Sequence, residues 1–92
     1  MALTPKIRQL YKGKAHGLKP VVMIGNKGLT ETVNKEIDRA LYDHELIKIR
    51  IQVADRDERQ AMFDEICQLH QAEPVQLIGG IGTLYRVSDK AK

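Results

Sequence analysis

The sequence predicts a single α/β domain in which helices and strands follow one another in the order αβαβαββ. Two observations support this fold class: apolar residues recur at helical spacing in three segments, and short apolar or alternating runs lie between and after them. The chain has 92 residues and no linker, repeat or low-complexity tract. We therefore predict one domain over 1–92, with its core at about 4–87, in which the helices pack on a four-stranded mixed sheet.

The first helix is predicted to begin at Thr4 and Pro5, because a threonine hydroxyl can cap a helix and proline suits its first turn. It is expected to end near Ala15 or His16, where glycines interrupt the pattern. The apolar run from Pro20 to Ile24 then indicates a buried strand that begins with proline.

A second helix is predicted to follow Thr30, which can serve as its cap. Its apolar stripe consists of Val33, Ile37, Ala40 and Leu41. Apolar and polar residues then alternate, which is typical of a strand with one buried face and one open face. The buried set is Ile47, Ile49, Ile51 and Val53, and the open set is Lys48, Arg50 and Gln52.

A third helix is predicted to begin at Asp57, which forms a capping-box pattern with Gln60, and to end at Glu73 and Pro74. Its inward residues are predicted to be Met62, Phe63, Ile66 and Leu69.

Two strands over 75–78 and 83–87 close the predicted fold. The glycines between them, Gly79, Gly80 and Gly82, indicate a tight turn. Strands connected through helices pair in parallel, whereas this hairpin must be antiparallel, so the sheet is expected to be mixed.

Charge is distributed unevenly along the chain. The net charge is +3, from 15 lysines and arginines against 12 aspartates and glutamates. All of the acidic residues follow residue 30, and the basic residues before it are Lys6, Arg8, Lys12, Lys14, Lys19 and Lys27. This basic segment favours a polyanion-binding face, and the alternative is a solvated, lysine-rich surface. The sequence also leaves open whether Lys48, Arg50 and Arg86 extend this face or are simply solvated.

The segment Gly25-Asn26-Lys27-Gly28 joins the first predicted strand to the second helix. Glycines let the backbone approach a ligand closely, the helix N-terminus adds a partial positive charge, and Lys27 adds a full one. These properties suit a phosphate-binding turn, although Glu31 in the first helical turn opposes a bound phosphate. The alternative is that glycine serves only the backbone conformation of the turn.

The patterns of catalytic and metal sites are missing from the sequence. Cys67 follows Phe63 by four residues, so we expect a buried core thiol rather than a nucleophile. His44 and Glu45 lack the second histidine of a zinc-protease helix. We therefore expect no enzymatic activity, metal, cofactor or small-molecule substrate. Aromatic residues are few, so a bound nucleic acid is expected to be contacted through its phosphates and shape.

Membrane insertion and export are not expected either. No segment approaches the roughly 20 apolar residues of a membrane span, and the start of the sequence has no apolar signal region. With one cysteine, no disulfide can form within the chain. These observations predict a cytoplasmic location and leave the oligomeric state open.

Three motifs follow one another along the chain, and together they are more specific than any one of them. They are LKPVVMIGNKGLT over 18–30, HELIKIR over 44–50, and the closing pair Ile78-Gly79 and Leu84-Tyr85-Arg86. They resemble the CRM domain, the chloroplast RNA splicing and ribosome maturation family, over about residues 4–87. A free-standing domain of this length is similar to the bacterial YhbY type.

The resemblance implies a shape similar to the C-terminal domain of translation initiation factor three. It also implies a non-enzymatic protein that binds RNA, in particular ribosomal RNA in precursors of the large subunit. The family's RNA-contacting turn corresponds to Gly25, Asn26, Lys27 and Gly28. Basic residues implied more loosely are Lys6, Arg8, Lys12, Lys14 and Lys19. Lys48 and Arg50 are further candidates because of their place on the open face of the second predicted strand, not because of the resemblance. The alternative function is a protein-interaction module that reaches ribosomal particles through a protein partner.

Overall fold

Three helices and four strands follow one another in the predicted order. The computed structural model describes residues 3–88, so the ends of the predicted domain, 1–2 and 89–92, lie outside the described residues. The helices are α1 (Pro5–Ala15), α2 (Glu31–His44) and α3 (Arg56–Leu69). The strands are β1 (Pro20–Ile24), β2 (Leu46–Ile51), β3 (Glu73–Ile78) and β4 (Ile81–Tyr85).

The four strands form one mixed sheet in the order β1-β2-β4-β3, which confirms the predicted fold class. β1 and β2 are parallel, and the other two pairs are antiparallel. β1 and β3 are therefore the edges of this sheet. Pro20 and Pro74 lie on these edge strands, where a missing amide hydrogen is tolerated.

Side-chain oxygens cap the three helices. Thr4 and Thr30 cap α1 and α2 as predicted, and each hydroxyl accepts a hydrogen bond from the amide three residues later, at 3.2 and 3.1 Å. The predicted cap of α3 is wrong: Asp55 Oδ2 accepts from Glu58 N at 3.0 Å, and Asp57 lies in the first turn. The helix starts earlier than predicted because Asp55 satisfies one of its free N-terminal amides.

α2 and α3 pack on one face of the sheet and form the core with it. The largest core side chains are Ile24, Ile37, Leu41, Ile47, Ile49, Ile51, Phe63, Ile66 and Leu84. Cys67 belongs to this core, as predicted. Leu69, which was predicted to point inward, is 57% exposed. The reason is that α3 ends at this residue, and Phe63, Ile66 and Cys67 already cover the sheet.

α1 lies on the opposite face of the sheet. Leu84 of β4 belongs to the core, so its neighbour Tyr85 points to the other side. The Tyr11 ring of α1 stacks on Tyr85 with 4.5 Å between the ring centroids. Ala15, at the end of α1, is completely buried.

The structure corrects the prediction that β1 is a buried strand. Val22 and Ile24 are buried in the core, whereas Val21 and Met23 are 53% and 52% exposed. β1 is an edge strand. α1 lies on the face that carries Val21 and Met23, but it packs on the neighbouring strands and leaves these two side chains exposed. The continuous apolar run therefore combines one core face with one open face.

The β3–β4 hairpin also differs from the prediction. It turns at Gly79 and Gly80, so β4 starts and ends two residues earlier than predicted, and Gly82 lies inside it. A Cβ added at Gly82 would lie 2.6 Å from Cε1 of Phe63. This glycine therefore makes room for a core ring instead of forming the turn. β3 begins at Glu73, within the segment predicted to end α3.

Candidate nucleic-acid interface

The predicted phosphate-binding turn lies between β1 and α2. The amide of Gly28 donates to the oxygen of Gly25 at 3.0 Å, and the amide of Thr30 donates to the oxygen of Gly28 at 3.1 Å. Gly28 has a φ angle of 71°, which glycine adopts without strain. A Cβ added at Gly25 would meet no atom within 4 Å. The fold thus requires glycine at position 28 and leaves Gly25 open to approach from outside.

Within the described range 3–88, the outer side of this turn presents one cation, Lys27, at the start of a helix. Asn26 and Lys27 are exposed. Glu31, whose carboxylate opposes a bound anion, pairs with Lys35 at 3.3 Å between Oε1 and Nζ. The turn can therefore contact a phosphate through Lys27, with the N-terminus of α2 adding to the positive potential.

A row of residues crosses the open face of the sheet beside the turn. One residue of each strand belongs to it: Met23, Arg50, Ile81 and Ile78 are successive neighbours across the sheet. Arg50 is exposed and Ile78 is 66% exposed. The row thus places one cation between apolar side chains, and Met23 is only two residues away from Gly25.

A second group of cations lies at the other end of β1. Lys14 of α1, Lys19 ahead of β1 and Lys48 of β2 line one cavity of about 460 Å³. The other lining residues are Leu18, Val21, His44, Leu46 and Ile47. Among residues 3–88, no carboxylate contributes to this lining, so the cavity combines apolar walls with positive charge.

The remaining basic residues of α1 point in other directions. Residues two apart on a helix are separated by about 200° around its axis. Lys12 therefore lies on the opposite side of α1 from Lys14, and Lys6 on the opposite side from Arg8. Lys6 is exposed, whereas Arg8 and Lys12 are half-buried. The predicted site residues thus form one lysine cluster, one turn with Arg50 nearby, and cations spread around α1.

Arg86 makes structural contacts within the fold through its guanidinium group. Its Nη1 lies 2.9 Å from Asp38 Oδ1 and 3.3 Å from the oxygen of His70, and its Nη2 lies 3.1 Å from the oxygen of Asp38. His70 Nε2 bonds to Asn34 Oδ1 at 3.1 Å, and burial lowers the pKa of His70. These contacts join β4, α2 and the end of α3, and they leave Arg86 out of the basic surface.

Cys67 and His44, the residues considered for catalysis, lie in different parts of the structure, one in the core and one at the lysine cavity. Burial raises the pKa of the Cys67 thiol to about 12, so this thiol is not poised as a nucleophile. His44 lines the lysine cavity. Within residues 3–88, histidine, cysteine and acidic side chains form no group of three that could hold a metal ion. The same part of the chain has no helix that is long and apolar enough to span a membrane.

Sequence reasoning missed the apolar half of this surface. Leu18, Val21 and Leu46 line the cavity, and Met23 and Ile78 lie in the row beside the turn. The signal that could have found it was the period of two within the first apolar run, which separates Val21 and Met23 from the core residues. That signal becomes informative only when β1 is known to be an edge strand.

Comparison with known proteins agrees with this fold. A Haemophilus influenzae protein named "RNA-binding protein" is 49% identical, and the match covers 98% of this chain and 91% of that protein. A Pseudomonas aeruginosa protein named "probable RNA-binding protein" is 44% identical, with coverage of 98% and 86%. The solution structure of a Staphylococcus aureus protein superposes with a TM-score of 0.85 at 31% identity, covering 98% of this chain and 94% of the other. The family model of the CRS1/YhbY (CRM) domain matches residues 3–86, and the chain therefore belongs to that family.

Proposed function

We propose that this protein binds RNA without catalysing a reaction. The observation that carries the proposal is the placement of cations at both ends of β1. Lys14, Lys19 and Lys48 lie at its start, and Lys27 and Arg50 lie at its end. The names of the Haemophilus and Pseudomonas relatives support the same conclusion.

In this proposal, the backbone of the RNA follows the open side of β1. A strand of this length extends for about 17 Å, so the two groups of cations contact phosphates of different nucleotides. Lys27 and the turn at Gly25 receive one phosphate, because the backbone there is open and a helix N-terminus stands behind it. Such contacts hold the RNA in place and carry little base specificity.

The partner we propose is ribosomal RNA in precursors of the large subunit, in the cytoplasm. Its support is the resemblance of the three sequence motifs to the ribosome maturation family. The lysine cluster and the turn suit a folded ribosomal RNA, whose closely spaced phosphates offer several contacts to a small basic surface.

Titration of a large-subunit ribosomal RNA fragment at increasing KCl concentrations tests the binding. The logarithm of the association constant should fall by about 0.7–0.9 per logarithmic unit of salt for each phosphate contacted. Several contacts give a steep slope. An affinity that does not depend on salt would argue against phosphate recognition. Sedimentation of the protein with precursor particles in a sucrose gradient tests the proposed partner.

The open row of Met23, Ile81 and Ile78 favours one competing function, a protein-interaction module. Complete digestion of RNA in a cell extract separates the two functions. Release of this protein from the particle fractions supports RNA binding. Continued sedimentation with a defined protein after the digestion supports the competing function.

A further inference from the structure

We propose that the cavity between α1, β1 and β2 receives one unpaired nucleotide, so that this protein prefers RNA in which a base has left the helical stack. The inference rests on the proposed RNA binding and specifies the kind of RNA that is bound. The cavity measures about 460 Å³. This volume lies within the range of about 300–1,000 Å³ that is typical of small-molecule sites.

The walls of the cavity suit the flat ring of a base. Leu18, Val21 and Leu46 line it. Leu18 is 39% exposed and Val21 is more than half exposed, so part of their apolar surface stays in water. An unstacked base that enters the cavity removes this surface, and its own, from water.

The charge of the cavity suits the phosphates on either side of that base. Lys14, Lys19 and Lys48 come from three different segments and converge on one opening. Lys14 Nζ lies 5.6 Å from the centroid of the Tyr11 ring, which stacks on Tyr85. The contact with Tyr11 restricts the positions that this ammonium can take. An apolar cavity lined by lysines, to which no carboxylate of residues 3–88 contributes, matches a nucleotide, which has an apolar ring and an anionic backbone.

A regular duplex cannot use this cavity, because its bases are paired and stacked. Taking a base out of a duplex costs a few kcal/mol, and the cost is lowest where the base has no partner. RNA bulges and loops, whose bases have no partner, can therefore place a base in the cavity at the lowest cost. From the cavity, the side of β1 that carries Val21 and Met23 leads directly to the turn at Gly25, so the same RNA strand can reach both sites.

Two RNA hairpins test the inference with the full chain. Their sequences are identical except that one hairpin carries a single additional nucleotide, 2-aminopurine, as a bulge in its stem. We expect the wild-type protein to bind the bulged hairpin about ten-fold more tightly. Burial of part of a base and of the Leu18 side chain contributes the binding free energy that corresponds to a ten-fold change in affinity. The fluorescence of 2-aminopurine should change on binding, because the environment of the bulged base changes.

Leu18→Ser removes an apolar wall without changing the charge. It should reduce the preference for the bulged hairpin to about two-fold and leave the salt dependence as in the wild type. Val21→Thr is a second variant, isosteric and compatible with a strand, and it should act in the same direction. Leu69→Ser is the matched control, because Leu69 is an exposed leucine on α3 outside the cavity. It should bind both hairpins as the wild type does.

The outcomes separate this inference from the function on which it rests. Equal affinity of the wild type for both hairpins, or an unchanged preference in both cavity variants, overturns the nucleotide site and leaves RNA binding intact. Failure of the wild type to bind either hairpin at low salt overturns the proposed function itself. A bulge preference that only the cavity variants lose supports the inference.

Discussion

Arg86 Nη1 lies 2.9 Å from Asp38 Oδ1, and this ion pair joins the residue after β4 to α2. The same guanidinium donates to the backbone oxygens of Asp38 and His70. Its side chain is mostly shielded, whereas that of Asp38 is mostly exposed. Arg86 belongs to the closing sequence motif, and its side chain connects the end of β4 to α2 and to the end of α3.

Arg86→Ala is expected to lower the free energy of unfolding by about 1–2 kcal/mol, because two carbonyl oxygens and one carboxylate lose their donor. Urea denaturation followed by circular dichroism measures the change. Arg39→Ala serves as the control, since it removes an exposed ion pair with Asp43, and its effect should be smaller. RNA affinity should be unchanged in folded Arg86→Ala. Wild-type stability in this variant would contradict the structural role.

Substitution by alanine at two glycines is expected to change the stability of the fold in opposite directions. Gly82→Ala places a Cβ within 2.6 Å of the Phe63 ring and is expected to lower stability by about 1–3 kcal/mol through overpacking. Gly13→Ala, in α1, meets no atom within 4 Å and should raise stability by about 0.5–1 kcal/mol. Thermal unfolding of both variants measures the shifts. Adding Phe63→Leu should recover part of the loss in Gly82→Ala, and a failure to recover would point away from the ring contact.

The sequence predicted the elements well wherever a local signal determines them. Thr4 and Thr30 cap their helices as expected, and Ile47, Ile49 and Ile51 form the buried face of β2. Each of these signals depends on residues a few positions apart in the chain. For the same reason, the order of elements and the presence of a closing hairpin, though not its exact turn, follow from the sequence alone.

The remaining features depend on contacts between distant parts of the chain. Gly82 is needed because Phe63 packs against it, and Val21 is open because β1 lies at the sheet edge. The same holds for the site: Lys14 and Lys48 are far apart in sequence and meet only at the end of α1. Charge counting identified these lysines as candidates, but it could not separate them from Lys12, which lies on the other side of the helix.

The stability of the fold should depend on pH through His70. Burial lowers the pKa of this histidine below its ordinary value of 6.5; the charge of Asp38 acts against the shift and that of Arg86 adds to it. The unfolded chain then binds a proton at His70 more readily than the folded chain does. The contribution of His70 to the free energy of unfolding is therefore fully present above pH 6.5 and is lost as the pH decreases below it.

Urea denaturation of the wild type and of His70→Gln between about pH 7.5 and 5.5 measures this contribution. Glutamine retains a donor for Asn34 and has no proton to bind in this range. The decline on acidification should therefore be weaker in the variant. The two proteins differ only at residue 70, so the difference between their curves reports on that residue. Parallel curves for the two proteins would remove His70 as the cause.

Lys27→Ala tests the turn as a phosphate contact. Loss of one contacted phosphate should reduce the salt slope of RNA binding by about 0.7–0.9 and lower the affinity at low salt. Stability should be unaffected, because Lys27 is exposed. Lys35→Ala is the matched control, since this lysine is already paired with Glu31, and its slope should remain near that of the wild type. If both variants keep the wild-type slope while RNA still binds, the turn does not contact a phosphate, and the binding surface is confined to the cations at the start of β1 and around α1.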